Sequence, residues 1–188
     1  MKNIVIIGAG SLGKEVVWLI EDINKVNPTY LILGFLDDDL GKAQTEYCGY
    51  KVLGQISQLD SIASRMPVCA VIAIQNEKSK KAIVEKNPSF KNWENIIHPS
   101  SVIAGSTTYG VGNIFFPQTV ISIDCKLGNF GLYSIHSSVA NDCVIGDYVS
   151  IMQSSTISNH VRINDLVRIK DNEYVTSETH KGKGLGIL

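Results

Sequence analysis

At 188 residues and 20.5 kDa, the chain has room for one compact domain or two small ones in tight contact. Apolar residues make up 44% and charged residues 19%, a globular composition that excludes a collagen-like fibre or a small disulfide scaffold. Seventeen basic residues against eighteen acidic ones leave a net charge of −1, so neither nucleic acid nor an anionic membrane is an expected partner. The apolar runs Ile4–Ile7 and Val68–Ile74 are too short to span a bilayer, so no membrane insertion is expected. One lysine precedes a β-type run and a glycine loop follows at once, which does not suit a signal peptide. Cys48, Cys69, Cys125 and Cys143 contain no CxxC pair. They read as reduced thiols, and the expected location is cytoplasmic.

Residues 1–97 alternate strand-like and helix-like stretches. Asn3–Ile7 is a β-branched run that predicts a strand buried on both faces. Gly8-Ala9-Gly10-Ser11-Leu12-Gly13 follows, and Val16, Ile20 and Ile23 then recur at helical spacing, so a helix begins inside the loop. Tyr30–Leu36 predicts a second strand, closed by Asp37-Asp38-Asp39. Val52-Leu53 suits a short strand and Gln58–Arg65 a short helix. Val68–Ile74 predicts a third buried strand. Glu77–Lys86 is amphipathic and stops at Asn87-Pro88. Glu94–Ile97 is a last candidate strand. The alternation implies a parallel sheet with right-handed crossovers, a small Rossmann-like unit.

The glycine loop is the first chemical feature. Gly8 permits a tight turn, Gly10 lets backbone approach a ligand, and Gly13 lets helix pack on strand. The helix N-terminus then offers free N–H groups to a phosphate. Asp37 lies 29 residues after Gly8, beyond the spacing of about 20 usual for a ribose-binding acid. A mononucleotide, such as that of a nucleotide-sugar, is therefore expected rather than NAD. The ligand-free reading of the same segment is a structural βα turn, and for Asp37–Asp39 a solvated loop.

The second half carries a repeat. Every sixth residue from Ile103 to Ile169 is apolar, twelve positions in all. At 44% apolar composition, chance would give such a run about once in twenty thousand trials. Eleven of the twelve residues two places earlier are small or β-branched. This is the hexapeptide signature of a β-helix: three hexapeptides make one triangular coil of eighteen residues. Coils then stack at i, i+18, placing Cys125 beside Cys143, Leu127 beside Ile145 and Asp142 beside His160. The two cysteines read as corner filling, and no metal cluster is visible.

The glycine-loop half, the phrase Phe35-Leu36-Asp37-Asp38, the stretch Ile97-His98-Pro99-Ser100-Ser101-Val102-Ile103 and the hexapeptides together resemble the sialic acid O-acetyltransferase and bacterial nucleotide-aminosugar N-acetyltransferase family. The resemblance covers residues 1 to about 170. It implies an α/β Rossmann-like domain followed by an all-β left-handed parallel β-helix, and a homotrimer with active sites between subunits. The implied reaction is acetyl transfer from acetyl-CoA to a sugar amine or hydroxyl in surface-glycan biosynthesis. By the same resemblance, Gly10, Ser11, Leu12, Asp37, Asp38, Gln75 and Asn76 match nucleotide-sugar contacts, and Ser150 and Ser158 lie where the family places CoA. The domains expected are 1–97 for nucleotide-sugar binding, 98–175 for acyl transfer, and a flexible tail over 176–188.

Two departures stand out. The family phrase resembles V-x-H-[DE]-C-x-I-G-[DE], and this chain reads Val139-Ala140-Asn141-Asp142-Cys143-Val144-Ile145-Gly146-Asp147. Asn141 thus stands where a catalytic histidine is expected, and an amide cannot serve as a general base. A displaced pair, Asp142 with His160 one rung above, is one rescue. His136 is the weaker candidate, and His98 reads as structural. Secondly, Lys170 replaces an expected glycine, and Ser177–Leu188 loses the period, which shortens the β-helix. The alternative function is therefore a catalytically degenerate homologue, a non-enzymatic trimer that still binds nucleotide-sugar.

Overall fold

The computed structural model describes residues 1–176 and 185–187. The chain divides into two compact units, Met1–Ile96 and Ile97–Leu188.

The first unit is a five-stranded sheet flanked by helices. Its elements are β1 (Lys2–Ile7), α1 (Ser11–Val26), β2 (Tyr30–Leu36), β3 (Glu46–Tyr47), β4 (Tyr50–Gly54), α2 (Leu59–Arg65), β5 (Cys69–Ile72) and α3 (Glu77–Lys86). The strand order is β3-β4-β2-β1-β5, and all neighbours are parallel except the β3–β4 hairpin. Central β1 explains its own composition: Ile4, Val5, Ile6 and Ile7 are fully buried, as a strand covered on both faces requires. Helix α1 lays Leu12, Val16, Val17, Leu19 and Ile20 into the core. Helix α3 starts at Asn76, whose side chain accepts the Ser79 N–H at 2.9 Å, a standard N-cap.

The second unit is the left-handed parallel β-helix. Its strands are β6 (Ile96–Ile97), which begins on the last residue of the first unit, β7 (Val102–Ile103), β8 (Thr108–Tyr109), β9 (Ile114–Phe115), β10 (Val120–Ile121), β11 (Lys126–Leu127) and β12 (Leu132–Tyr133). They continue as β13 (Ser138–Val139), β14 (Val144–Ile145), β15 (Ser150–Ile151), β16 (Thr156–Ile157), β17 (Val161–Ile163), β18 (Arg168–Ile169), β19 (Tyr174–Val175) and β20 (Leu185–Ile187). Every third strand stacks, giving the orders β18-β15-β12-β9-β6, β19-β16-β13-β10-β7 and β20-β17-β14-β11-β8. Leu127 pairs with Ile145, the expected eighteen-residue step.

The anchors from Phe115 to Val175 fill the prism and are at most 6% exposed. Tyr109 departs from the pattern at 40% exposed. It sits on β8, the edge strand of its sheet, where no coil lies beneath to cover it. The small residue two places before each anchor has a second task. Ser101, Thr107, Asn113, Thr119, Cys125 and Cys143 each donate a side-chain bond to the carbonyl fifteen residues on. Turn carbonyls that face the interior are thereby satisfied. The Cys125 and Cys143 thiols are spent on this bonding, and the neighbouring Cys125 thiol together with burial pushes the Cys143 thiol up.

The corners of the prism are made by residues three places after each anchor. From Gln118 to Asn172 ten such residues have φ between 56° and 63°, and none is glycine. From His136 onward each corner N–H donates to the carbonyl nineteen residues back, as from Asp142 to Ile123 at 3.2 Å and from His160 to Asn141 at 3.1 Å. This ladder holds the left-handed conformation that most side chains avoid.

Two expectations are revised. Glu94–Ile97 does not join the α/β sheet. Strand β6 opens the stack of β9 and β12, and the α/β edge gains only an isolated Ala70–Trp93 bridge. At the other end, Leu185–Ile187 is a strand, antiparallel to β17, that covers the edge of one sheet. The remainder of the predicted tail, 177–184 and 188, lies outside the described residues.

Candidate functional site

The first unit holds a cavity of about 990 Å³ at the carboxyl ends of β1, β2 and β5, where open parallel sheets bind ligands. Gly8, Gly10, Ser11 and Leu12 form one wall, Asp37, Asp38 and Lys42 a second, Gln55–Ser57 a third, and Ala73–Gln75 with α3 the last. The glycines are required. Gly8 has φ +103°, and a Cβ there would meet the Ala73 carbonyl oxygen at 2.7 Å. A Cβ on Gly13 would lie 2.1 Å from the Gly8 carbonyl oxygen, whereas one on Gly10 would meet nothing within 4 Å. Gly13 thus lets α1 pack against the end of β1, Gly8 lets the loop pass close to the chain that follows β5, and Gly10 faces the opening. The N-terminus of α1 has no side-chain cap, leaving its N–H groups for a phosphate. Lys42 and Lys86 add positive charge to the lining.

Asp37 has a structural task here. Its carboxylate accepts the Ala9 N–H at 2.8 Å and the Asp39 N–H at 2.9 Å, and pairs with Lys42 at 2.9 Å. Burial raises its pKa, but these three donors outweigh burial and leave it below the ordinary value of 3.8. A depressed folded-state pKa stabilises above the unfolded value and is lost as pH falls through the folded one. Asp37→Asn should therefore lower stability at pH 7 by about 1–2 kcal/mol. Comparative melting should show the gap between variant and wild type close below the ordinary aspartate range. A constant gap at every pH would contradict the clamp. Asp38 accepts the Ile56 N–H at 2.9 Å. Gln75 lines the cavity, whereas Asn76 is turned to the α3 cap.

The second unit brings Asn141, Asp142 and His160 together at one corner. The Asn141 amide donates from Nδ2 to Asp142 Oδ2 at 2.6 Å. The same oxygen lies 3.8 Å from His160 Nδ1. Asp124, Lys126, Asp142, Val144, His160 and Arg162 line a hollow of about 690 Å³ beside them. Ser158 is half-buried and donates to Asn159 Oδ1 at 3.0 Å, two residues before His160. Ser150 is fully buried, and its hydroxyl has no partner among the described residues. His136 is elsewhere, with Nε2 against Gln118 Oε1, and His98 bonds Ser100 at 2.8 Å. Among the described residues no group of three or more His, Cys, Asp or Glu could hold a metal ion.

The α/β unit followed by a hexapeptide prism defines the fold class, a Rossmann-like domain joined to a left-handed parallel β-helix. The PglD N-terminal domain family matches residues 3–87. The acetyltransferase domain of PglB from Neisseria gonorrhoeae FA1090, solved in complex with acetyl coenzyme A, superimposes with a TM-score of 0.81 at 26% identity, over 92% of this chain and 81% of that one. WeeI from Acinetobacter baumannii AYE superimposes with a TM-score of 0.78 at 29% identity, over 95% and 82%. A histidine-to-asparagine mutant of perosamine N-acetyltransferase from Caulobacter crescentus, in complex with CoA and GDP-perosamine, gives 0.73 at 18% identity, over 94% and 89%; at that identity the likeness is one of fold. Comparison with curated proteins gives no sequence match. The chain is thus similar to the acetyltransferase domain of PglB and to WeeI over more than nine-tenths of its length, and its N-terminal part is similar to the PglD N-terminal domain family.

Sequence reasoning missed Lys42, Lys86, Lys126 and Arg162. For Lys126 and Arg162 the signal was present: they lie at i and i+36, on β11 and β17 of one sheet, two coils apart. Lys42 and Lys86 had no comparable spacing to betray them.

Proposed function

We propose that this chain transfers an acetyl group from acetyl-CoA to an amine or hydroxyl of a nucleotide-linked sugar used in surface-glycan synthesis. The observation that carries the reading is the glycine-loop cavity of about 990 Å³ in a chain whose other half is a hexapeptide prism. Residues 1–97 hold the nucleotide, with Gly10, Ser11 and Leu12 at the phosphates and Asp38 and Gln75 further in. Residues 98–175 carry acyl transfer at the Asn141–Asp142–His160 corner, with Ser158 on the CoA side. The working form is a homotrimer and the location cytoplasmic. Among the described residues no helix is long and apolar enough to cross a membrane. An amine already in its neutral form is the easier nucleophile, since its lone pair attacks without prior loss of a proton.

The test is thiol release from acetyl-CoA with a panel of UDP- and GDP-linked amino and hydroxy sugars, with product mass as confirmation. Release that depends on the acceptor is expected. Asn141 favours a second reading, a nucleotide-sugar-binding protein that has lost transfer. Tight binding of the sugar without turnover would select that reading.

A further inference from the structure

We propose that His160 is the base that takes the acceptor's proton, with Asp142 as its positioning residue. This assignment rests on the acetyltransferase reading above. Asn141 has no basic nitrogen, and its amide is spent on Asp142 Oδ2 at 2.6 Å. That bond fixes the carboxylate whose same oxygen lies 3.8 Å from His160 Nδ1. The backbone fixes the other half. His160 donates its N–H to the Asn141 carbonyl at 3.1 Å, and Asp142 and His160 share the left-handed corner conformation at φ 58° and 57°. One column therefore stacks the two side chains on adjacent rungs. With Nδ1 turned to the carboxylate, Nε2 is the nitrogen available to a substrate beside the hollow. His98 and His136 are not equivalent, because Ser100 and Gln118 engage their rings.

The step balances. The acceptor nitrogen or oxygen forms its bond to the thioester carbonyl carbon while Nε2 takes the proton from that atom. The carbon–sulfur bond then breaks, and CoA leaves as a thiolate that takes this proton from His160. The carboxylate stabilises the imidazolium that exists between these events. The other charged groups facing the hollow are Asp124, Lys126 and Arg162.

The test compares wild type with His160→Asn, which suits the left-handed corner and cannot act as base. Melting curves check that the variant folds, and His160→Gln serves as a second variant. His160→Asn should lower kcat by about 10²-fold or more with little change in KM, and remove the acid limb of the pH–rate profile. Asp142→Asn should lower kcat by about 10-fold while keeping a limb. Adding Asn141→His to His160→Asn should restore part of the rate. Full activity and an intact limb in His160→Asn would overturn the assignment. An inactive wild type with an active Asn141→His variant would overturn it also, while leaving the acetyltransferase reading in place. No transfer by any variant to any nucleotide-sugar would remove that reading itself.

Discussion

Gly13→Ala is expected to destabilise the first unit by about 3 kcal/mol, on the order of 10 °C in Tm, and to abolish nucleotide-sugar binding. The added Cβ would stand 2.1 Å from the Gly8 carbonyl oxygen and 3.3 Å from the Phe35 ring. Neither can yield easily. The oxygen is backbone at a turn already held at φ +103°, and Phe35 is fully buried. Helix α1 would have to lift from β1, taking its N–H groups away from the cavity. Gly10→Ala is the informative partner. Its Cβ meets nothing within 4 Å, so Tm should hold while affinity falls by about 10-fold or more, because the methyl occupies the approach of the phosphate. Calorimetric titration with a nucleoside diphosphate sugar and thermal melting read both outcomes. Normal binding by Gly10→Ala would mean that the loop does not cradle the phosphates.

Tyr133 carries the second large effect, and its sign depends on the substitution. The ring is fully buried and stacks on Phe115 at 4.6 Å and 5°, in the middle of the prism. Tyr133→Ala should cost about 4–5 kcal/mol through lost burial, the cavity and the stacking. The hydroxyl tells a different story. It has no hydrogen-bond partner among the described residues, and burial pushes the phenol far up, so it is neutral at every working pH. An unpaired buried hydroxyl is a cost. Tyr133→Phe should therefore stabilise, by about 1 kcal/mol. Denaturant melts of both variants would decide. A destabilised Tyr133→Phe would show that the hydroxyl is bonded in solution.

Much of the fold was legible because the prism is a one-dimensional object. Its period sits in the covalent order, so the anchors and the eighteen-residue step follow from counting. Tyr30–Leu36 and Glu77–Lys86 also came out at their observed bounds, because turn residues or caps flank both segments. The β3–β4 hairpin was missed, since Glu46-Tyr47 carries no alternation. The left-handed corners were missed as well. Phe130, Tyr148 and Leu166 adopt φ of 56–63° without the Asn or Gly that would have marked them, because the inter-coil ladder of hydrogen bonds imposes the conformation from outside.

For the candidate site, the order of residues alone placed a glycine loop at Gly8–Gly13 and set Asp142 beneath His160, because glycine pattern and repeat length are local properties. The tertiary structure decided how those groups are used. It turned Asp37 onto the Ala9 and Asp39 N–H groups, Asn76 onto α3 and Asn141 onto Asp142, and it buried Ser150. The reason is that a repeat fixes which residues are neighbours. Which way each side chain turns depends on the donors and acceptors that packing leaves unsatisfied.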